Sequence, residues 1–213
     1  MIKAYVFDQD GTLYPKCSKL TNVLRERTKQ WISESLGITR EEVDSIYGRL
    51  PKEFPNPIHG FISLGLSPEE YHKEVFDKVD PTQFLCKDDR LITLFSDLSV
   101  PKFIVTFASL DYSERLQQVL GIYDLVKQTI SAIEYPPTYS KAEAYESIRK
   151  NLRISANDVC IIGDNLSTDV LPAIENGFKG ILVDSPIASN VDFQCVSSIY
   201  SLEELLKKNK ILY

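Results

Sequence analysis

Asp8 and Asp10 stand one residue apart at the end of an apolar run, in YVFDQDGTLY (residues 5–14), where an ordinary strand end has no use for two acids. A second acidic pair, Asp164 and Asp169, follows the apolar run Val159 to Ile162, and Thr106 closes a third such run, Lys102 to Thr106. Carboxylates gathered at one place repel one another and raise their own pKa values unless a cation compensates them. A hard divalent ion with oxygen ligands suits such a set. Magnesium fits better than calcium, because it is held by one or two carboxylates plus waters and phosphate oxygens rather than by a full protein cage. The chemistry this allows is phosphoryl transfer. Asp8 is the candidate nucleophile, forming an aspartyl phosphate. Asp10 is the candidate acid and base, protonating the leaving oxygen and later taking a proton from water. Gly11 gives the chain the freedom to turn sharply there and lets a ligand approach the backbone, and Thr12 follows it.

These residues can meet only if the elements carrying them are neighbours. The runs Ile2 to Phe7, Lys102 to Thr106, Val159 to Ile162 and Gly180 to Val183 read as buried strands. Helical spacing joins Tyr112, Leu116 and Val119 to Leu120, then Ala144, Tyr145, Ile148 and Leu152, and a further helix is expected from about Ser167 to Asn176, ended by Gly177. Strands alternating with helices predict an α/β fold with a doubly wound parallel sheet, whose ligands sit beyond the carboxyl ends of the strands. From Pro15 to about Lys87 strand-like runs vanish. That stretch reads as an inserted helical cap of roughly four helices over residues 15–87, with residues 1–14 and 88–213 forming the core. Pro51, Pro55 and Pro57 are expected to break it near its middle, and Ser67 followed by Pro68, Glu69 and Glu70 reads as a helix start.

At 213 residues, 43% apolar and 25% charged, the chain has the composition of a soluble globular protein with a sizeable core. A formal charge of −6 and the lack of a basic segment argue against a nucleic-acid polymer as partner and leave a small phosphorylated molecule open. Cys17, Cys86, Cys160 and Cys195 are widely spaced, which indicates neither a zinc site nor a disulfide framework but reduced, mostly structural thiols. No apolar run approaches a membrane span and no leader-like segment opens the chain, so a cytoplasmic protein without membrane contact is expected.

FDQDGTLY (residues 7–14) resembles the first motif of the haloacid dehalogenase (HAD) superfamily, Asp-x-Asp-Gly-(Thr/Ser)-Leu-(Tyr/Phe). FIVTFAS (103–109) is similar to the second motif, an apolar strand ending in Ser or Thr, and GDNLSTD (163–169) to the fourth, Gly-Asp-x-x-x-x-Asp. The resemblance spans the whole chain. It implies that Thr106 binds a phosphoryl oxygen, that Asp8, the backbone carbonyl of Asp10 and Asp164 ligate magnesium, and that Asp169 sits in the outer layer or holds the metal through water. It also requires a lysine to neutralise the nucleophile and phosphate. Lys141, in TYSKAEAYESI, opens the helix before the third strand, 23 residues ahead of Asp164. Lys127 lies too early and Lys150 at the far end of that helix, so Lys141 is the expected phosphate-binding and catalytic lysine. Relatives often carry Asn where Phe107 stands, which bears on substrate more than on chemistry.

Within the superfamily the chain looks most like the pyrimidine 5′-nucleotidase group, which implies a magnesium-dependent phosphatase acting on a nucleoside monophosphate. A dehalogenase proper is disfavoured by Asp10. A sugar phosphomutase of the same fold and a non-catalytic phosphate-binding or regulatory protein are the alternatives, and the intact Asp8, Asp10 and Asp164 count against the last. Taken singly, Asp-x-Asp is a turn or cap signal, Thr106 a strand residue, Lys141 a solvated charge and Asp169 a helix cap. Their order along the chain is what points to a site. His59 reads as a surface or structural histidine, and Trp31, Phe54, Phe61 and Tyr71 as the cap's own core.

Overall fold

The computed structural model describes residues 1–184 and 193–207. β1 (Ala4–Phe7) leads into a turn closed by a two-residue bridge between β2 (Asp10–Gly11) and β3 (Tyr14–Pro15). Helices α1 (Lys19–Leu36), α2 (Arg40–Glu53), α3 (Pro57–Ser63) and α4 (Pro68–Tyr71) follow, and α4 runs on into a wide π-helical turn, His72–Phe76. The chain then alternates: α5 (Asp89–Asp97), β4 (Lys102–Thr106), α6 (Leu110–Leu120), β5 (Gln128–Ser131), α7 (Lys141–Leu152) and β6 (Val159–Gly163). A second π-helical turn, Leu166–Val170, opens α8 (Leu171–Glu175), and β7 (Lys179–Val183), β8 (Phe193–Val196) and α9 (Leu202–Lys207) complete the order.

The main sheet is parallel throughout, in the order β5-β4-β1-β6-β7-β8. The chain winds outward from β1 through β4 to β5, returns to place β6 on the other side of β1, and winds outward again. That reversal opens a crevice at the carboxyl ends of β1 and β6, where open α/β sheets bind ligands. Alternation along each strand fills both faces. Tyr5, Phe7, Ile104, Cys160 and Ile162 pack with Leu91, Leu94 and Phe95 of α5 and with Tyr112 and Leu116 of α6. Ala4, Val6, Phe103, Val105, Val159 and Ile161 pack with Ala144, Tyr145 and Ile148 of α7. With both faces buried, the central strands read as continuous apolar runs, which is why they were legible.

Over residues 15–87, where a helical cap is expected, the chain forms the helices α1 to α4. Ser18, Asn56 and Ser67 side chains accept from backbone N–H groups at the starts of α1, α3 and α4, and Thr39 and Glu42 form a capping box on α2. Trp31 and Phe61 meet edge to face at 5.3 Å and Phe61 lies 4.7 Å from Tyr71, so these aromatics do form a cap core. Phe54 is half-buried against it.

Some expectations need correction. Pro51 does not break the insertion: it lies inside the last turn of α2, where a missing N–H costs one hydrogen bond near a helix end and Phe54 N still donates to Leu50 O at 2.8 Å. Pro57, in the first turn of α3, does mark a start. The helix expected from Ser167 opens instead as the π-helical turn at Leu166. β5 and β8 had no counterpart in the sequence reading. They are the two sheet edges, and β5 reads Gln-Thr-Ile-Ser with its first residue exposed, so it carries no apolar run. Cys160 is the structural thiol expected, whereas Cys17 and Cys86 are exposed. Among the described residues no helix is long and apolar enough to cross a membrane.

Candidate active site

The register of the sheet brings the chemistry-bearing residues together. Phe7 lies opposite Ile162 of β6 and Ile104 of β4, and Asp8 N still donates to Ile162 O at 2.8 Å, so Asp8 leaves β1 beside the end of β6. Thr106 ends β4 on one side and Asp164 follows β6 on the other. Lys141 is the first residue of α7, held there by the Ser140 cap. Two glycines permit the approach. Gly11 has φ +92°, and a Cβ on it would stand 2.4 Å from Asp164 Oδ2; a Cβ on Gly163 would stand 2.4 Å from Asp169 Oδ2.

Lys141, a residue only 3% exposed, donates through Nζ to Asp8 Oδ1 at 2.6 Å and to Asp169 Oδ1 at 2.7 Å. Burial alone pushes its pKa down, but Asp169 and Asp8 outweigh burial and hold it well above the ordinary lysine value. The other oxygen of Asp8 accepts from Thr12 Oγ1 at 2.8 Å. Asp169 is fully buried. Beyond Lys141 it accepts from Asn165 N at 3.0 Å and Thr168 Oγ1 at 3.3 Å, so both of its oxygens are engaged within the protein.

Asp8, Asp164 and Asp169 each offer an oxygen, all within 4.8 Å of one another. Lys16 Nζ reaches Asp164 at 3.0 Å, yet burial, followed by the charges of Asp8 and Asp169, pushes Asp164 up to about 8. A group of hard oxygen ligands with negative charge left over after its lysines are counted is compatible with Mg²⁺. The carboxylate of Asp10 stands outside this group. Its Oδ1 accepts from the Tyr14 hydroxyl, and burial pushes it up to about 6 against the lowering effect of that bond. A carboxyl near 6 can give and take a proton around neutral pH.

Thr106 is buried, and its Oγ1 accepts from Ala108 N at 3.0 Å, which leaves the hydroxyl proton free to donate elsewhere. These side chains line a cavity of ≈ 290 Å³ between sheet and cap. Its core wall includes Asp8, Asp10, Thr106, Phe107, Lys141, Asp164 and Asp169, and its cap wall includes Thr21, Leu24, Arg25 and Thr28 of α1, with Tyr47, Tyr71 and Phe76. The cavity is of small-molecule size. His59 is exposed and does not line it.

The sequence model of haloacid dehalogenase-like hydrolases matches residues 2–177. The chain belongs to that family. As a HAD-like hydrolase it resembles solved structures over nearly its full length, at identities that speak for the fold alone. A HAD phosphatase from Thermococcus onnurineus matches at 18% identity and a TM-score of 0.59, covering 96% of this chain and 98% of that one. The magnesium-bound HAD-hydrolase YfnB from Bacillus subtilis matches at 16% and 0.59, covering 97% and 99%. An L-2-haloacid dehalogenase from Xanthobacter autotrophicus matches at 17% and 0.58, covering 98% and 99%. Phosphatases and dehalogenases thus share the fold of this HAD-like hydrolase, and the fold does not choose between them.

All six residues singled out in the sequence, Asp8, Asp10, Thr106, Lys141, Asp164 and Asp169, line the one cavity. Lys127 and Lys150 are exposed away from it. Sequence reasoning missed Tyr14 as the partner of Asp10, Lys16 as the partner of Asp164, and Arg25 in the cap wall. Only Arg25 had a signal, its place among Thr21, Leu24 and Thr28 at helical spacing.

Proposed function

We propose that this HAD-like hydrolase is a phosphatase that cleaves a small phosphomonoester through an aspartyl phosphate. The observation carrying the reading is the buried triad Asp8–Lys141–Asp169, with Asp10 alongside as a carboxyl of raised pKa. Asp8 attacks phosphorus; the bond to the ester oxygen breaks, and that oxygen takes the proton of Asp10. Asp10, now a carboxylate, then takes a proton from water, whose oxygen attacks phosphorus and releases phosphate and the Asp8 carboxylate. Lys141 and the free hydroxyl proton of Thr106 hold the phosphoryl oxygens through both steps. Asp8, the backbone carbonyl of Asp10 and Asp164 would hold Mg²⁺, with Asp169 behind them, and the ion when bound would offset charge on the phosphoryl oxygens.

Asp10 and the acidic group favour an ester over a haloacid. A halide leaves without a proton and brings no dianionic phosphoryl group to be neutralised, so neither feature serves dehalogenation. A nucleoside 5′-monophosphate is the favoured substrate, because Tyr47, Tyr71, Phe76 and Phe107 give the cavity aromatic walls on which a base can stack. The test is phosphate release from nucleoside monophosphates, sugar phosphates and p-nitrophenyl phosphate, with magnesium or with EDTA. Magnesium-dependent release that disappears in Asp8→Asn is expected; release that survives in the folded variant would sink the mechanism.

A further inference from the structure

Phe107 stands directly after Thr106, and its ring lies over Lys141 Nζ, 4.9 Å from ammonium to ring centroid. An ammonium facing an aromatic ring in a desolvated place is attracted to it and loses freedom to swing away. The ring therefore constrains the one cation that holds Asp8 and Asp169.

What fixes Phe107 comes from the cap. His72 Nε2 lies 2.8 Å from Phe107 O. A carbonyl oxygen can only accept, so Nε2 carries the proton and donates. At the other end of the same π-helical turn, the Asp77 carboxylate accepts from Ser109 Oγ. The turn is closed by Asp77 N donating to His72 O at 3.0 Å, which places both grips on one wide turn. π-helical turns are rare and recur at functional positions. Here the turn and the Asp77 that caps it grip Phe107 and Ser109, in the loop that follows Thr106.

We propose that Phe107 is a positioning residue for Lys141, and that the π-helical turn of the cap, through His72 and Asp77, holds Phe107 in place. The cap's seating on the core is thereby transmitted to the base of the site through His72, Phe107 and Lys141. This rests on the assignment of Lys141 to the phosphoryl group made above.

The test joins an activity-independent readout to kinetics. In the wild-type protein, NMR of Lys141 should show its ε and ζ protons shifted upfield by the Phe107 ring. Phe107→Leu should abolish that shift, Phe107→Tyr should keep it, and His72→Phe should reduce it, while His72→Gln, which retains an N–H at a similar reach, should restore it. With a phosphomonoester as substrate, Phe107→Leu and His72→Phe should lower kcat about five- to tenfold with KM little changed, the pattern of an interaction made in the transition state. His72→Gln should recover most of the loss. A merely structural role would lower the folded fraction, and apparent kcat with it, but would leave the Lys141 shift of the folded His72→Phe molecules at its wild-type value. An unshifted Lys141 in the wild type, or a His72→Phe protein with wild-type shift and kcat, overturns the proposal. Loss of the shift in the variants without phosphate release from any ester by the wild type upholds the positioning role and removes the phosphatase reading instead.

Discussion

Lys141 carries an unusual load for one side chain: a single, almost wholly buried ammonium balances two buried carboxylates. Removing one partner of such a group leaves charge buried and unmatched, which costs about 3–5 kcal/mol. Lys141→Met is therefore expected to lower stability in urea by that order and to abolish turnover, while Lys127→Met and Lys150→Met, on exposed side chains, leave both near wild type. A crippling effect of either control would relocate the catalytic lysine. Asp8→Asn separates chemistry from folding. The amide keeps the shape: its oxygen can still accept from Lys141 while its NH2 donates to the Thr12 hydroxyl, but it cannot attack phosphorus. Turnover is expected to fall by on the order of 10³-fold or more, with far-UV circular dichroism unchanged.

At the scale of elements, what matters is how closely β6 and its following turn approach one another. Gly163, the last residue of β6, faces Asp169 where even a methyl group would collide with the carboxylate, at 2.4 Å from Oδ2. Gly163→Ala should push Asp169 off Lys141 and cost about 1–3 kcal/mol, as overpacking of a tight interior does. Urea denaturation would check this, and an unchanged midpoint would mean that the turn relaxes freely. The same elements show why legibility varied. β1, β4, β6 and β7 are largely buried on both faces and announce themselves as apolar runs, whereas β5 is an edge that reads Gln-Thr-Ile-Ser and whose first residue faces water. The strand-end residues were legible because a parallel sheet sends every carboxyl end to the same side. Tyr14 and Lys16 were not, since a tyrosine or lysine after a turn has no fixed partner until the chain has folded.

For the whole molecule, two equilibria should report the site. If Asp8 and Asp164 hold a divalent ion, magnesium binds the folded state alone and raises Tm, by about 2.7 kcal/mol of stability at a hundredfold excess over Kd. Asp164→Asn should flatten that magnesium titration; an undiminished response would place the ion elsewhere. His72, where the cap meets the core, gives a pH signature. Burial lowers its pKa, outweighing the Phe107 carbonyl and the Asp77 and Glu69 charges that raise it. The folded state then binds fewer protons than the unfolded one below about pH 6.5, so this contribution is full above that pH and is lost as pH falls through it. Compared with His72→Gln, the wild type should lose stability on acidification below about 6.5, and parallel curves for the two proteins would refute the shift.

The sequence by itself determined the class of the fold, the family resemblance and which six polar residues would line one cavity at the carboxyl ends of the strands, because strand burial, helical spacing and motif order are local patterns written along the chain. Only the tertiary structure decided which lysine stands between which acids, that Asp10 answers to Tyr14 rather than joining its neighbours, and that Phe107 lies between a cap histidine and the site. Those facts depend on contacts between residues up to 133 positions apart, such as Lys141 with Asp8. Contacts of that span are set by sheet register and by the close approaches that Gly11 and Gly163 allow, and neither is encoded in any short stretch of sequence.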